Sequence, residues 1–195
     1  MIEIKINKSS ENEVEKYLKK WDSLENYVLQ ESSLNKLFFS TYPNNKDIND
    51  ILIKASSLND FYSTNIFSIF SVAKHIRDLN IDERLKIKDE TLVNDIALVK
   101  INGKQKNFYS FATKYCSHHD PVNYPIYDSY VEKILCYFNK IDNFSTFKKF
   151  DLKDYSRFKE ILCDFKNFYD IDKYNLKDID RYLWQLGKEY FPNKY

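Results

Sequence analysis

Apolar positions recur along most of this chain at intervals of three and four, the spacing that lays one stripe along a helix. Val14, Tyr17, Leu18, Trp21, Leu24 and Val28 share such a stripe behind Ser10, a residue type that caps helix N-termini. A short helix is expected from Ser33 to Phe39, and "TYPNN" then reads as a loop. Asp47 caps a helix bearing Ile48, Ile51, Leu52 and Ala55. After "SLNDFYST", the residues Ile66, Phe67, Ile69, Phe70, Ala73 and Ile76 predict a helix ending near Leu79. It is apolar almost all round, as a central buried element would be.

The polar run "NIDERLKIKDE" reads as a connection to a helix from about Glu90 to Lys100, with Leu92, Val93, Ile96 and Ala97 inward. "INGKQKN" reads as a hairpin leading to a helix from about Phe108 to His118. In "DPVNYPIY", Pro121 and Pro125 force extended backbone on the residues before them. Asp128 opens the helix of Val131, Ile134, Leu135 and Phe138. Further helices are expected over Phe144 to Phe150, Asp154 to Tyr169 and Leu176 to Leu186, with Gly187 as the C-cap of the last. No repeat or flexible linker interrupts the pattern. The expectation is an all-α fold: one compact domain over residues 1–195, with its site-bearing segment at about 90–140 and the terminal helices packed around it.

Composition supports this. Glycine is confined to Gly103 and Gly187, which argues against all-β folds and glycine-rich phosphate loops. The 15 Phe and 16 Tyr make an aromatic core whose tyrosines need polar partners at its edge. With 30 basic and 29 acidic residues the net charge is +1, so no global basic signature marks a nucleic-acid binder, although a local basic face stays open. The odd, scattered Cys116, Cys136 and Cys163 suit reduced thiols. Neither a signal peptide nor an apolar run of spanning length is present, and the expected location is the cytoplasm, with no membrane partner.

The chemistry concentrates between the hairpin and Asp128. Ser110, Ala112, Tyr124, Pro125, Ile126, Asp128, Val131, Lys133, Ile134 and Leu135 together form a pattern that resembles the helix–hairpin–helix DNA glycosylase superfamily. The branches concerned are the adenine-glycosylase, endonuclease III and 8-oxoguanine-glycosylase-like ones. The likeness covers residues 108–138 closely and is architectural elsewhere. It implies a helix–hairpin–helix element, a DNA partner (double-stranded) and hydrolysis of the N-glycosidic bond of a flipped base. Asp128 would stabilise positive charge developing on the sugar and orient water. The bland reading is that Asp128 is an N-cap and nothing more.

Ser110 aligns with the position of the Schiff-base lysine in lyase-capable members, which implies a monofunctional enzyme that releases the base with water. Lys114, one helical turn further along, is either a desolvated nucleophile or a surface lysine whose stem covers its neighbours. Family hairpins grip a phosphate with two closely spaced glycines. This one offers Gly103, several residues early, and Lys100, Lys104 and Lys106 as replacement charge. The cysteine ladder of iron–sulfur members is missing, so neither a cluster nor any other cofactor is expected.

Asn59, Tyr62 and Thr64 sit where the resembled fold lines its base pocket; the alternative is a helix cap over core aromatics. Tyr124 and Tyr127, and Trp184 on the last helix, are further candidates for contact with a flipped base. "CSHHD" invites a zinc reading, but no second cluster of Cys or His completes a site, and no metal is expected. Two functions follow: a DNA glycosylase-like hydrolase acting through Asp128, or a non-catalytic nucleic-acid- or protein-binding module that retains the fold.

Overall fold

A computed structural model describes residues 5–192; the first four residues of the N-terminal tail lie outside them. The chain is mostly helical, with ten α-helices and a single two-stranded sheet among the described residues. In order these are α1 (Glu11–Asp22), α2 (Glu25–Asn35), α3 (Ile48–Phe61), α4 (Ile69–Leu79), α5 (Asp82–Lys86), α6 (Thr91–Ala97), β1 (Leu98–Ile101), β2 (Lys104–Asn107), α7 (Tyr109–Ser117), α8 (Ser129–Asp142), α9 (Tyr155–Phe168) and α10 (Leu176–Tyr190). A π-helical turn (Lys36–Thr41) follows α2 and a 3-10 turn (Lys149–Lys153) precedes α9. No helix among the described residues is long and apolar enough to cross a membrane. Two compact units result, one from residues up to Glu25 with Tyr127 onward, the other from Asn26–Ile126.

In the first unit, α10 packs on both α8 and α1, and α9 packs against the 3-10 turn. Tyr182, Leu183 and Leu186 of α10, Val14 and Tyr17 of α1, and Ile134, Leu135 and Phe138 of α8 are buried. Aromatic rings meet in a knot in which Phe165 lies 5.6 Å from Phe138, 5.3 Å from Phe144 and 4.8 Å from Tyr169. The tyrosines find polar partners at the edge of this core: Tyr182 Oη pairs with Ser9 Oγ at 2.9 Å, and Tyr137 Oη accepts from the Ile6 amide at 3.0 Å. Gly187 lies inside α10 and does not cap it. A Cβ there would stand 2.5 Å from Tyr130 Cβ and 2.7 Å from Tyr130 O, so only glycine lets the two helices approach this closely.

In the second unit, α3 packs on α4 and α7, α6 packs on α7, and β1 lies against α4. The hairpin between α6 and α7 pairs Leu98 with Asn107 and Ile101 with Lys104. Its two-residue turn needs left-handed backbone, which Asn102 (φ 48°) and Gly103 (φ 77°) supply.

Several boundaries depart from the hydrophobic pattern for identifiable reasons. The first apolar stripe is cut into α1 and α2, because the Ser23 hydroxyl bonds Lys20 O at 2.7 Å and closes the first helix. The helix expected to run to Lys100 stops at Ala97, and its last residues become β1. Within "NIDERLKIKDE", Asp82–Lys86 forms a short helix instead of a plain connection. No α-helix forms over Phe144 to Phe150: left-handed Asn143 ends α8, and Phe144 turns into the aromatic knot. The fourth helix is not apolar all round, since Val72, Ala73 and Ile76 are buried while Phe70 is 60% and Phe67, just before it, 99% exposed.

Candidate functional site

Asp128 owes its position to the chain on either side of it. Pro125 disfavours helical backbone at Tyr124, and Asp128 itself is extended (φ −147°, ψ 173°) before α8 begins. Its Oδ1 accepts from the amides of Tyr130 at 2.8 Å and Val131 at 3.1 Å. Oδ2 takes no hydrogen bond from any described residue, and the side chain is half-buried. The carboxylate is thus an N-cap with one oxygen left over.

Its neighbours in the first unit divide into packing and polar groups. Tyr130 meets Trp184 edge-on at 6.4 Å, and Trp184 meets Trp21 at 5.9 Å. Trp184 is half-buried, with Lys188 Nζ 4.9 Å above its ring. Tyr127 is buried at 3% exposure and donates to Glu132, while Lys153 donates to the same hydroxyl. Lys149 pairs with Glu132 Oε1 at 2.8 Å. Burial raises the Glu132 carboxyl, but the Lys149 and Tyr127 hydrogen bonds and the Lys153 charge outweigh it and hold the group below the ordinary Glu range. The Tyr127 ring is therefore a packing element tied to an ion-pair network.

The second unit brings Ser110, Lys114 and Tyr62 together. Ser110 lies in the first turn of α7 and Lys114 one turn later on the same side. Lys114 is 4% exposed, a buried side chain and not a surface one. Its Nζ lies 2.5 Å from Ser110 Oγ, 3.4 Å from Ser110 O and 5.2 Å from the centre of the Tyr62 ring. Tyr62 Oη bonds His118 Nε2 at 3.0 Å. Tyr124 is buried at 1% exposure and donates to Asp89 O at 3.2 Å, which also makes it a packing residue.

Asn59 and Thr64 brace the loop after α3. Asn59 Oδ1 accepts from Thr64 Oγ1 at 2.7 Å and from the Ile66 amide at 2.9 Å, and its Nδ2 donates to Ile66 O at 3.3 Å. These bonds hold Ser63 and Asn65 in left-handed backbone (φ 48° and 56°). A shallow cavity of about 200 Å³ lies over this loop, lined by Asn59, Asp60, Ser63, Asn65, Ile66 and Phe67. On the hairpin, Lys100, Lys104 and Lys106 are exposed and form no ion pair with the described residues. Lys104 and Lys106 stand opposite Ile101 and Val99 and share a face, with Lys100 on the other.

The "CSHHD" side chains diverge: Cys116 is buried, His118 faces Tyr62, and His119 faces Lys54 and Asn45. Among the described residues no group of three or more His, Cys, Asp or Glu side chains is placed to hold a metal ion. His119 instead belongs to a polar network that hydrophobic patterning passed over. Lys54, at 0% exposure, donates to Asn44 O at 3.0 Å and Asn45 Oδ1 at 2.7 Å, and Tyr115 Oη donates to the same oxygen at 2.6 Å. Asn45 Nδ2 donates to Asp82 Oδ1 at 2.7 Å. Burial lowers the Lys54 pKa to about 8, against the raising charges of Asp82 and Asp50. One sequence signal was there to find: Lys54 falls on the same helical stripe as Ile51, Ala55 and Leu58.

Comparison with known proteins adds a family and no chemistry. A family described as HI_0787_N, N-terminal domain, matches residues 13–123. A protein of Haemophilus influenzae, described as uncharacterized, is 56% identical over 146 residues, covering 74% of this chain and 70% of its own length. No solved structure matches. The family match takes in more than half of the sequence, most of α1 and nearly all of the second unit included, and the chain belongs to the HI_0787_N family.

Proposed function

We propose that this protein is a DNA glycosylase-like hydrolase in which Asp128 assists cleavage of the N-glycosidic bond of a flipped base. The observation that carries the reading is the division of labour within one carboxylate: Oδ1 caps α8 while Oδ2 is unengaged by the described residues on a half-buried side chain. In the reaction the C1′–N bond breaks and its electron pair leaves with the base, which takes up a proton from solvent. Oδ2 stabilises the cationic sugar and receives a proton from the water that adds at C1′. The products are a free base and an abasic site.

Support also comes from the order helix, hairpin, helix over α6 to α7, followed by an irregular Tyr-Pro-Ile segment and the capping acid, which is the order of the resembled superfamily's helix–hairpin–helix element. Ser110, at the aligned lysine position, has no amine, so water is the nucleophile; Lys114 lies buried beside it.

A second reading is favoured by the hairpin. It lacks the paired glycines of a phosphate grip but carries the exposed Lys100, Lys104 and Lys106, with no ion pair to the described residues, as a non-catalytic nucleic-acid-binding module would. Abasic-site formation across a panel of damaged and modified duplexes separates the two. Asp128→Asn keeps the cap, because Asn caps as well as Asp, and removes the charge. Base release that falls at least about 100-fold in this variant supports the hydrolase. Undiminished release removes Asp128 from the chemistry, and duplex binding with no release on any substrate favours the module.

A further inference from the structure

The network around His119 fixes the protonation of that ring by geometry. Asn45 Oδ1 accepts from Lys54 Nζ and from Tyr115 Oη, so the amide end of Asn45 points to Asp82 Oδ1 at 2.7 Å and His119 Nε2 at 3.2 Å. Lys54 Nζ, 3.5 Å from the same Nε2, is also a donor only. A ring nitrogen facing two donors must present its lone pair, so the proton of neutral His119 resides on Nδ1. The ring packs 5.0 Å from Phe38 and 5.5 Å from Tyr115, within a residue that is half-buried as a whole.

We propose that His119 is an acid-sensitive latch on the segment from Tyr42 to Asp47: a proton taken up at Nε2 breaks its bonds to Asn45 and Lys54 and lets that segment open. Protonation turns an acceptor into a donor that faces two donors, and it sets an imidazolium beside a buried ammonium. The groups facing the ring set its response. Lys54 of α3 opposes protonation, as does His118, just past the end of α7, when charged. Asp82 of α5, held on Asn45, and Asp50, one turn before Lys54, favour it weakly. Tyr115 and Cys116 of α7 are neutral neighbours, and Phe38 of the π-helical turn carries no titrating group. Consistent with this balance, burial first, then the charges of Lys54 and His118, keep His119 well below its ordinary 6.5. The latch is independent of the glycosidic reading and sits at the opposite end of α7 from Ser110.

Hydrogen exchange of the Asn45 amide, which donates to the Asp82 carboxylate at 3.1 Å, reads the latch directly. An open state with an ordinary His and a closed state with a neutral one should lose protection about 30-fold between pH 7.5 and 5.0, after correction for intrinsic exchange. His119→Gln keeps an acceptor near the Nε2 position but cannot titrate, and should lose less than about 3-fold. Imidazole nitrogen shifts of the wild-type protein at pH 7.5 should report the Nδ1–H tautomer. An Nε2–H tautomer overturns the proposal, as does flat protection in the wild-type protein. So does an equal loss in His119→Gln, which would assign the response to Asp82.

Discussion

Replacing Lys54 with methionine tests whether a fully enclosed ammonium governs the second unit. Burial brings its pKa down to about 8 from 10.5. Between those values the unfolded chain binds more protons than the folded one, so stability contributed by this site rises with pH. Integrated from pH 7 to pH 9, a pKa difference of this size is worth about 1.3 kcal/mol. The absolute effect of Lys54→Met mixes opposed changes: it removes a desolvated charge but leaves Asn44 O without its donor. Only the pH slope of the difference isolates the titration. Raised groups such as Cys116 and Tyr115, which lose stability at alkaline pH, are common to both proteins and cancel. Urea unfolding should be followed by far-ultraviolet circular dichroism, because Trp21 and Trp184 both belong to the first unit and their fluorescence reports that unit instead. Wild type should gain about 1.3 kcal/mol on the variant between pH 7 and pH 9. Parallel curves would refute the argument, since a lysine with unchanged titration has no penalty to relieve.

Two further tests address packing and charge. Gly187→Ala should destabilise the first unit by about 1–3 kcal/mol, seen as an earlier tryptophan transition in urea, because the added methyl overlaps Tyr130 backbone atoms that cannot swing away. If the protein binds duplex DNA, Lys104→Gln with Lys106→Gln should weaken binding regardless of sequence and flatten the log–log salt dependence by nearly one unit for each phosphate no longer neutralised; an unaltered slope would take these lysines out of the interface.

Periodicity gave the helical class and most of the helices, because burial of one face is what both the pattern and the fold express. α9 lies within a residue of its expected limits, since Asp154 caps it with its carboxylate and Phe158, Ile161, Leu162 and Phe165 form an unbroken stripe. Failures occurred where a tertiary contact competed with local preference. Gly187 looks like a terminator in sequence, yet its lack of a side chain serves a crossing with α8. Phe67 and Phe70 look like core, but the Asn59-braced turn presents them outward. Asp128 was legible as a cap from its residue type and its place after the proline segment. The Lys54–Asn45–His119 network was not, because His119 lies 74 residues from Asn45 and a lysine on the apolar stripe of α3 does not by itself name its partners.

The same glycine bears on the candidate chemistry. Asp128 Oδ1 is fixed by the amide of Tyr130, and the backbone of Tyr130 is what Gly187 allows α10 to approach. The Tyr130 ring continues into Trp184, so the first turn of α8 is held from its amide face by the acid and from its side-chain face by α10. Under the proposed reaction this hold matters for rate as well as stability, since a misplacement of about 1 Å costs roughly 100-fold. The clamp therefore separates two kinds of damage. Asp128→Asn should remove reaction charge and leave α8 intact, whereas Gly187→Ala should leave the charge and move it.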